Sequence, residues 1–159
     1  MRALLLPLLL LAAPAAAEDT TRIGRVNTAL TNLGLTRSHQ VVVERFGDPA
    51  IPGVSCYVSQ ARTGGLSGMV GLAEDPARFA LSCLATGPIT LPENVRRGER
   101  GEQIWEASTS LFFKETRVHR FVDEANGALV YLAWSTRLVE GSPHNALAVV
   151  PYQTTPAPR

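Results

Sequence analysis

Four charged residues stand inside or against otherwise apolar, β-branched runs: Glu44, Lys114, Arg120 and Glu140. A charge in that setting must be paired or must line a wet pocket, because burying it alone is costly. Carboxylates and a lysine converging in a cleft could act as general acid and base. The same groups paired with one another would be scaffold, and the pattern favours that reading. If Arg120 shares a strand face with Val118, Val122 and Tyr131, it needs a carboxylate, for which Glu44 and Glu140 are the candidates.

Other chemistries find less support. Gly65-Leu66-Ser67-Gly68 falls short of a nucleophile elbow, because Met69 stands where the closing glycine belongs. The surrounding Gly64, Gly65, Gly68 and Gly71 make a stretch too permissive for a packed element. It could wrap an anion with backbone N–H groups, but no lysine follows as in a phosphate-binding loop, so it reads as a mobile loop or lid. His39, His119 and His144 have no second ligand at metal-site spacing, so no metal site and no cofactor are expected.

The two cysteines, Cys56 and Cys83, are a different case. Val54, Cys56 and Val58 share one face of an alternating segment. Phe79, Leu81, Cys83 and Ala85 share another if that stretch is extended. Both thiols then point inward, as a buried bridge requires. Neither C-x-x-C spacing nor a neighbouring histidine suggests redox or metal chemistry, and a structural disulfide is expected.

Oxidising surroundings are implied by the first segment. Met1-Arg2 is positive, Ala3 to Ala13 is Leu and Ala apart from Pro7, and Ala15-Ala16-Ala17 offers small residues for cleavage. The stretch is shorter than the roughly 20 apolar residues a spanning helix needs. Residues 1–17 are therefore expected to be a signal peptide cut near Ala17, delivering a periplasmic product that is not an integral membrane protein. Without Arg2 the basic and acidic side chains balance at 14 each. The only short basic run, Arg96-Arg97 with Arg100 after it, is broken by Gly98 and Glu99, so no nucleic-acid partner is expected.

The remainder, residues 18–153, suits a single mainly β domain, an antiparallel barrel or sandwich with one or two short helices. Ile23 to Leu35 leans to strand, and Gln40 to Phe46 and Val54 to Gln60 read as neighbouring strands. Asp75-Pro76 resembles a helix start. Pro88 and Pro92 bracket a short extended piece, and Arg96 to Gly101 is a polar turn. Ile104 to Glu115, Val118 to Asp123 and Asn145 to Val150 are strand-like. Asn126-Gly127 predicts a hairpin. A two-residue turn there would pair Phe121 with Leu132, Arg120 with Ala133 and His119 with Trp134. Both hairpin faces would then carry large apolar groups, as in a central position. Residues 154–159, with Pro156 and Pro158, read as a disordered tail.

Several stretches, taken in order, resemble the CreA family of small exported bacterial proteins. They are Val41-Val42-Val43-Glu44, Cys56-Tyr57-Val58-Ser59 with Thr63-Gly64-Gly65, Gly71-Leu72-Ala73-Glu74-Asp75, Ser82-Cys83 with Gly87-Pro88-Ile89, and Val139-Glu140-Gly141-Ser142-Pro143. Thr109-Ser110-Leu111 and Lys114 ahead of Arg120-Phe121 extend the match. The resemblance implies export and one domain, and it supplies no catalytic residue. The leading functional expectation is a binding or interaction module for a small molecule or an envelope protein. The second is a hydrolase-like enzyme with Glu44, Lys114 or Glu140 in a cleft gated by the Gly-rich loop.

Overall fold

A computed structural model describes residues 20–29, 39–63, 78–108, 115–139 and 142–153, and all the regular structure among them is strand. The strands are β1 (Thr21–Ala29), β2 (His39–Gly47), β3 (Val54–Thr63), β4 (Phe79–Ala85), β5 (Glu102–Ser108), β6 (Glu115–Asp123), β7 (Ala128–Val139) and β8 (Ser142–Pro151). They form two antiparallel meanders, β1-β2-β3-β4 and β5-β6-β7-β8. Each strand is bonded only to its sequence neighbours within a sheet, so the architecture is a sandwich and not a closed barrel. The helix expected at Asp75-Pro76 lies outside the described residues, and from Phe79 the chain is extended. Between Pro88 and Pro92 there is loop and no strand. No helix among the described residues is long and apolar enough to cross a membrane.

Alternation decides which side chains fill the space between the sheets. Val42 and Phe46 of β2 and Val54, Cys56 and Val58 of β3 face Val118 of β6, Leu129, Tyr131 and Ala133 of β7 and Val150 of β8. β5 departs from strict alternation: Ile104 and Trp105 are consecutive and both buried. A register shift between Gln103 and Trp105 marks a bulge, whose extra residue lets both apolar side chains turn inward. Trp105 then stacks on Phe46 across the sandwich, ring centroids 4.5 Å apart and planes inclined by 13°. Its indole N–H donates to Thr20 Oγ1 at 2.9 Å, tying the entry to β1 to the facing sheet.

At the other edge β4 and β8 run alongside each other. There His144 Nε2 lies 3.0 Å from the Phe79 carbonyl oxygen, and the two rings meet edge to face at 4.8 Å. The connector from β4 to β5 closes one end of the core, with Val95 buried and Ile89 and Leu91 partly so. Gly101, which ends it, has φ +58°, and a Cβ there would lie 2.8 Å from the Arg120 carbonyl oxygen and 2.7 Å from the Phe121 ring. Only glycine lets β5 begin that close to β6.

The β6–β7 hairpin forms, but in a different register from the one expected. Phe121 pairs with Val130, Arg120 with Tyr131 and His119 with Leu132. The loop has four residues, 124–127, instead of two. Asp123 accepts from the backbone N–H of Asn126 at 3.2 Å and from its side-chain amide at 2.8 Å, while Gly127 takes φ +59°. That side-chain turn followed by a left-handed glycine lengthens the loop by two residues. Because the displacement is even, every side chain keeps its expected face. The hairpin occupies the middle of its sheet, as its two apolar faces implied.

Cys56 and Cys83 are direct cross-strand partners on β3 and β4, with an S–S distance of 2.04 Å and Cα atoms 4.0 Å apart. Closing this 27-residue separation is worth about 3.5 kcal/mol in the chain-entropy account. Thiol labelling of unfolded, unreduced protein is expected to find no free cysteine, and reduction should lower unfolding stability by about that amount. Two labelled thiols would contradict the bridge.

Candidate functional site

β6 presents Thr116, Val118 and Arg120 to the interior, so its periodicity carries a guanidinium into the core. Arg120 is wholly buried, and its acceptors come from both sheets. Nη1 lies 2.5 Å from Asp48 Oδ1, and Nη2 donates to Glu102 Oε2. Asp48 follows the last residue of β2 and is buried itself. Its Oδ1 also accepts from the backbone N–H groups of Ala50 and Ile51 at 3.0 and 3.2 Å. Its Oδ2 accepts from the Tyr131 hydroxyl at 2.9 Å. Tyr131 is the cross-strand partner of Arg120 on β7, and Glu102 is its partner on β5. Glu102 is the only member that reaches solvent, its side chain 39% exposed.

Arg120 therefore points inward beside Val118, as expected, but its carboxylates are Asp48 and Glu102. Glu44 serves elsewhere. On the inner face of β2 it meets Arg62 Nη2 at 3.2 Å and Arg22 Nη2 at 4.0 Å. Lys114, Glu140 and the loop glycines Gly64, Gly65, Gly68 and Gly71 lie outside the described residues. The sequence does not single out Asp48, because Gly47-Asp48-Pro49 reads as punctuation between strands. A carboxylate that closes a turn keeps lone pairs for further donors: Oδ1 serves the turn and Arg120 together, and Oδ2 takes Tyr131.

The donors and acceptors at the centre are largely matched to one another. Arginine only donates, and both oxygens of Asp48 are engaged by donors. Burial pushes the Tyr131 phenol far above its ordinary value, and the Asp48 carboxylate beside it pushes further the same way, with Arg120 opposing. Tyr131 thus keeps its proton and donates it to Asp48. The arrangement ties the end of β2 to β6 and β7.

Among the described residues, the outer surface carries a groove and a cleft. On the outer side of the second sheet, Phe121, Leu132 and Trp134 with His119, Pro143 and Asn145 line an open groove of about 530 Å³. Arg117 lies over the Trp134 ring, 5.8 Å from its centroid, and pairs with Glu106 and Glu115. Where β4 and β8 end, Ala85, Pro88, Ile89, Pro151 and Tyr152 border a smaller cleft of about 350 Å³. Among the described residues, no three His, Cys, Asp or Glu side chains gather as a metal site would require.

The family model described as "CreA protein" matches residues 23–155, which takes in β2 to β8 and all of β1 but its first two residues. The chain belongs to the CreA family. It is 46% identical over 147 residues to "Protein CreA" of Escherichia coli strain K12, covering 92% of this chain and 90% of that one. The proteins of the same description from Escherichia coli O6:H1 and O157:H7 match equally. No solved structure matches. The family match spans Asp48, Glu102, Arg120 and Tyr131 together with both cysteines, so the buried centre and the bridge fall within the CreA region of the chain.

Tyr131 gives the centre a pH signature. Its folded-state value lies above the ordinary 10.0, so the folded protein retains a proton that the unfolded chain gives up. The stability it contributes is complete below about pH 10 and is lost as pH rises beyond it. In an alkaline absorbance titration one phenol should ionise only with unfolding, and Tyr131→Phe should remove that late step. Ionisation of all three tyrosines near pH 10, with the fold intact, would contradict the buried donor.

Proposed function

We propose that this CreA-family chain is an exported docking module of the bacterial envelope. On this reading residues 1–17 deliver it to the periplasm, and the second sheet offers its outer face to a segment of an envelope protein. The observation that carries the reading is the composition of that face. Phe121, Val130 and Val149 form one cross-strand row, His119, Leu132 and Leu147 the next, and Arg117, Trp134 and Asn145 the third. Leu147 and Val149 are more than half exposed. An apolar face spread over three strands is the feature of a soluble sandwich that most needs a reason.

The chemistry elsewhere supports binding over catalysis. Asp48 and Arg120 hold each other between the sheets, which leaves Asp48 no free oxygen to act as a base. The face also suggests the size of its occupant. Three strands span about 14 Å and five residues about 17 Å. That is small against the roughly 800 Å² per partner of a stable interface. A peptide-like or transient partner fits it better than a permanent subunit.

A photo-crosslinking amino acid placed at Leu147 in the exporting cell tests this. The expected result is an adduct with an envelope protein. The adduct should be lost when Leu132→Asp is added, while the protein remains folded. It should also be absent when the crosslinker sits at Val26 of the opposite sheet. Equal adducts at Leu147 and Val26, or no adduct at Leu147, would overturn the docking face. A thermal shift with a small periplasmic metabolite that Leu132→Asp abolishes would replace the protein partner with a small molecule.

A further inference from the structure

The inner face of β3 runs through Val54, Cys56 and Val58 and then, at its next two inward positions, changes character to Gln60 and Arg62. Gln60 is 4% exposed. Its Oε1 accepts from Arg62 Nη2 at 2.9 Å, and the same nitrogen meets Glu44 Oε2 at 3.2 Å. Arg62 can only donate, so the Gln60 atom facing it must be the oxygen. The amide nitrogen is thereby turned away. Gln60 Nε2 and Arg62 Nε are both buried without an acceptor among the described residues. Each is two covalent bonds from an atom of the hydrogen bond that joins the two side chains, so the unmatched donors belong to one neighbourhood.

Buried donors are nearly always matched, so two unmatched ones on linked side chains call for an acceptor. Charge narrows the class of acceptor. Arg62 and Arg22 both address Glu44, which leaves one positive charge uncompensated in the trio. The facing sheet adds none among the described residues. The contacts of Asp48 with Arg120, and of Phe46 with Trp105 opposite Val118, set β2 alongside β6. Continuing that alignment by two residues would bring Glu44 level with Thr116 and its partner Ser135, both buried and uncharged. Arg120 Nε also lacks an acceptor, but that guanidinium is sealed in and already matched by two carboxylates. The Arg62 side chain is 23% exposed, which gives a ligand an approach.

The geometry points to a binding site for a small carboxylate at this end of the sandwich, taken by the Gln60 amide and the Arg62 Nε–H. It is separate from the outer docking face and does not depend on it. A charge-assisted pair of donors to one carboxylate is the arrangement that would satisfy both unmatched N–H groups and the surplus charge together. A lone water would satisfy only the donors.

The side-chain N–H signals of Gln60 and Arg62 report the site directly in nitrogen-15 NMR of the intact, disulfide-bonded protein. Acetate, succinate, phosphate and chloride would be titrated at constant ionic strength. N-acetyl-dialanine and its C-terminal amide would distinguish a peptide terminus from a free acid. The expected result is a saturable movement of both signals with the carboxylates, none with chloride, and none with the peptide amide. Gln60→Leu removes an unmatched donor and should remain folded while weakening the response about tenfold or more. Arg62→Lys, which keeps the charge but loses the Nε–H, should weaken it similarly. The absence of saturation by any carboxylate, saturation by phosphate alone, or an undiminished response in Arg62→Lys would overturn the proposal.

Discussion

A guanidinium placed between two sheets obliges the fold around it to supply acceptors, because it has no neutral form to retreat to. Arg120 imposes that demand here, and the demand reaches well beyond β6. It requires the chain to leave β2 with Asp48 directed inward, β5 to begin at Glu102 directly opposite, and β7 to bring Tyr131 alongside. Gly101 is needed because the start of β5 must press against the carbonyl of the same arginine. The four-residue loop at 124–127 is needed because a two-residue loop would set Ala133, and not Tyr131, beside it. One buried charge thus helps specify the register of a hairpin, a bulged strand and the relation between two sheets.

Such a centre is weak evidence for stability and better evidence for uniqueness. Apolar residues of similar volume would often serve a core as well. What they would not do is distinguish one strand register from another. A slip of one residue in β6 would carry Arg120 to the surface and strand Asp48 in the interior. The Phe46–Trp105 stack and the Cys56–Cys83 bridge act on the same framework, the first between the sheets and the second within one of them. With Asp48, Glu102 and Arg120 committed to holding the sandwich, the surfaces proposed for binding among the described residues are the outer apolar face and the polar end around Gln60 and Arg62. They lie on different sheets and call for different chemistry.

Much of this was legible in the residues. Alternation around Cys56 and Cys83 placed both sulfur atoms inward, and Asn126-Gly127 announced the hairpin with its faces correctly assigned. Arg120 was recognisable as a buried cation in need of a carboxylate. The identity of that carboxylate was not. Asp48 sits in a turn signal, and the spare lone pairs of a turn-closing carboxylate become visible as a partner only when the two sheets are brought together. The hairpin register failed for a local reason, since the side chain of Asp123 competes to close the turn and lengthens it. The unmatched donors of Gln60 and Arg62 were equally out of reach. Period-two patterning says which face a polar residue takes, but not whether its neighbour across the sheet can accept a hydrogen bond.

The sandwich depends most heavily on Asp48 and Arg120 acting as one unit, which a double-mutant cycle measured by denaturant unfolding addresses directly. Arg120→Met alone should cost about 3–5 kcal/mol, because it leaves the Asp48 carboxylate buried beside an apolar side chain. Asp48→Asn keeps an uncharged amide oxygen that can still accept from the backbone of Ala50 and Ile51. Adding it to Arg120→Met should therefore recover much of the loss and give a coupling above about 1 kcal/mol. Single-variant effects that add to within about 0.5 kcal/mol would show that the two residues do not depend on each other, and the account of the fold built on them would fail.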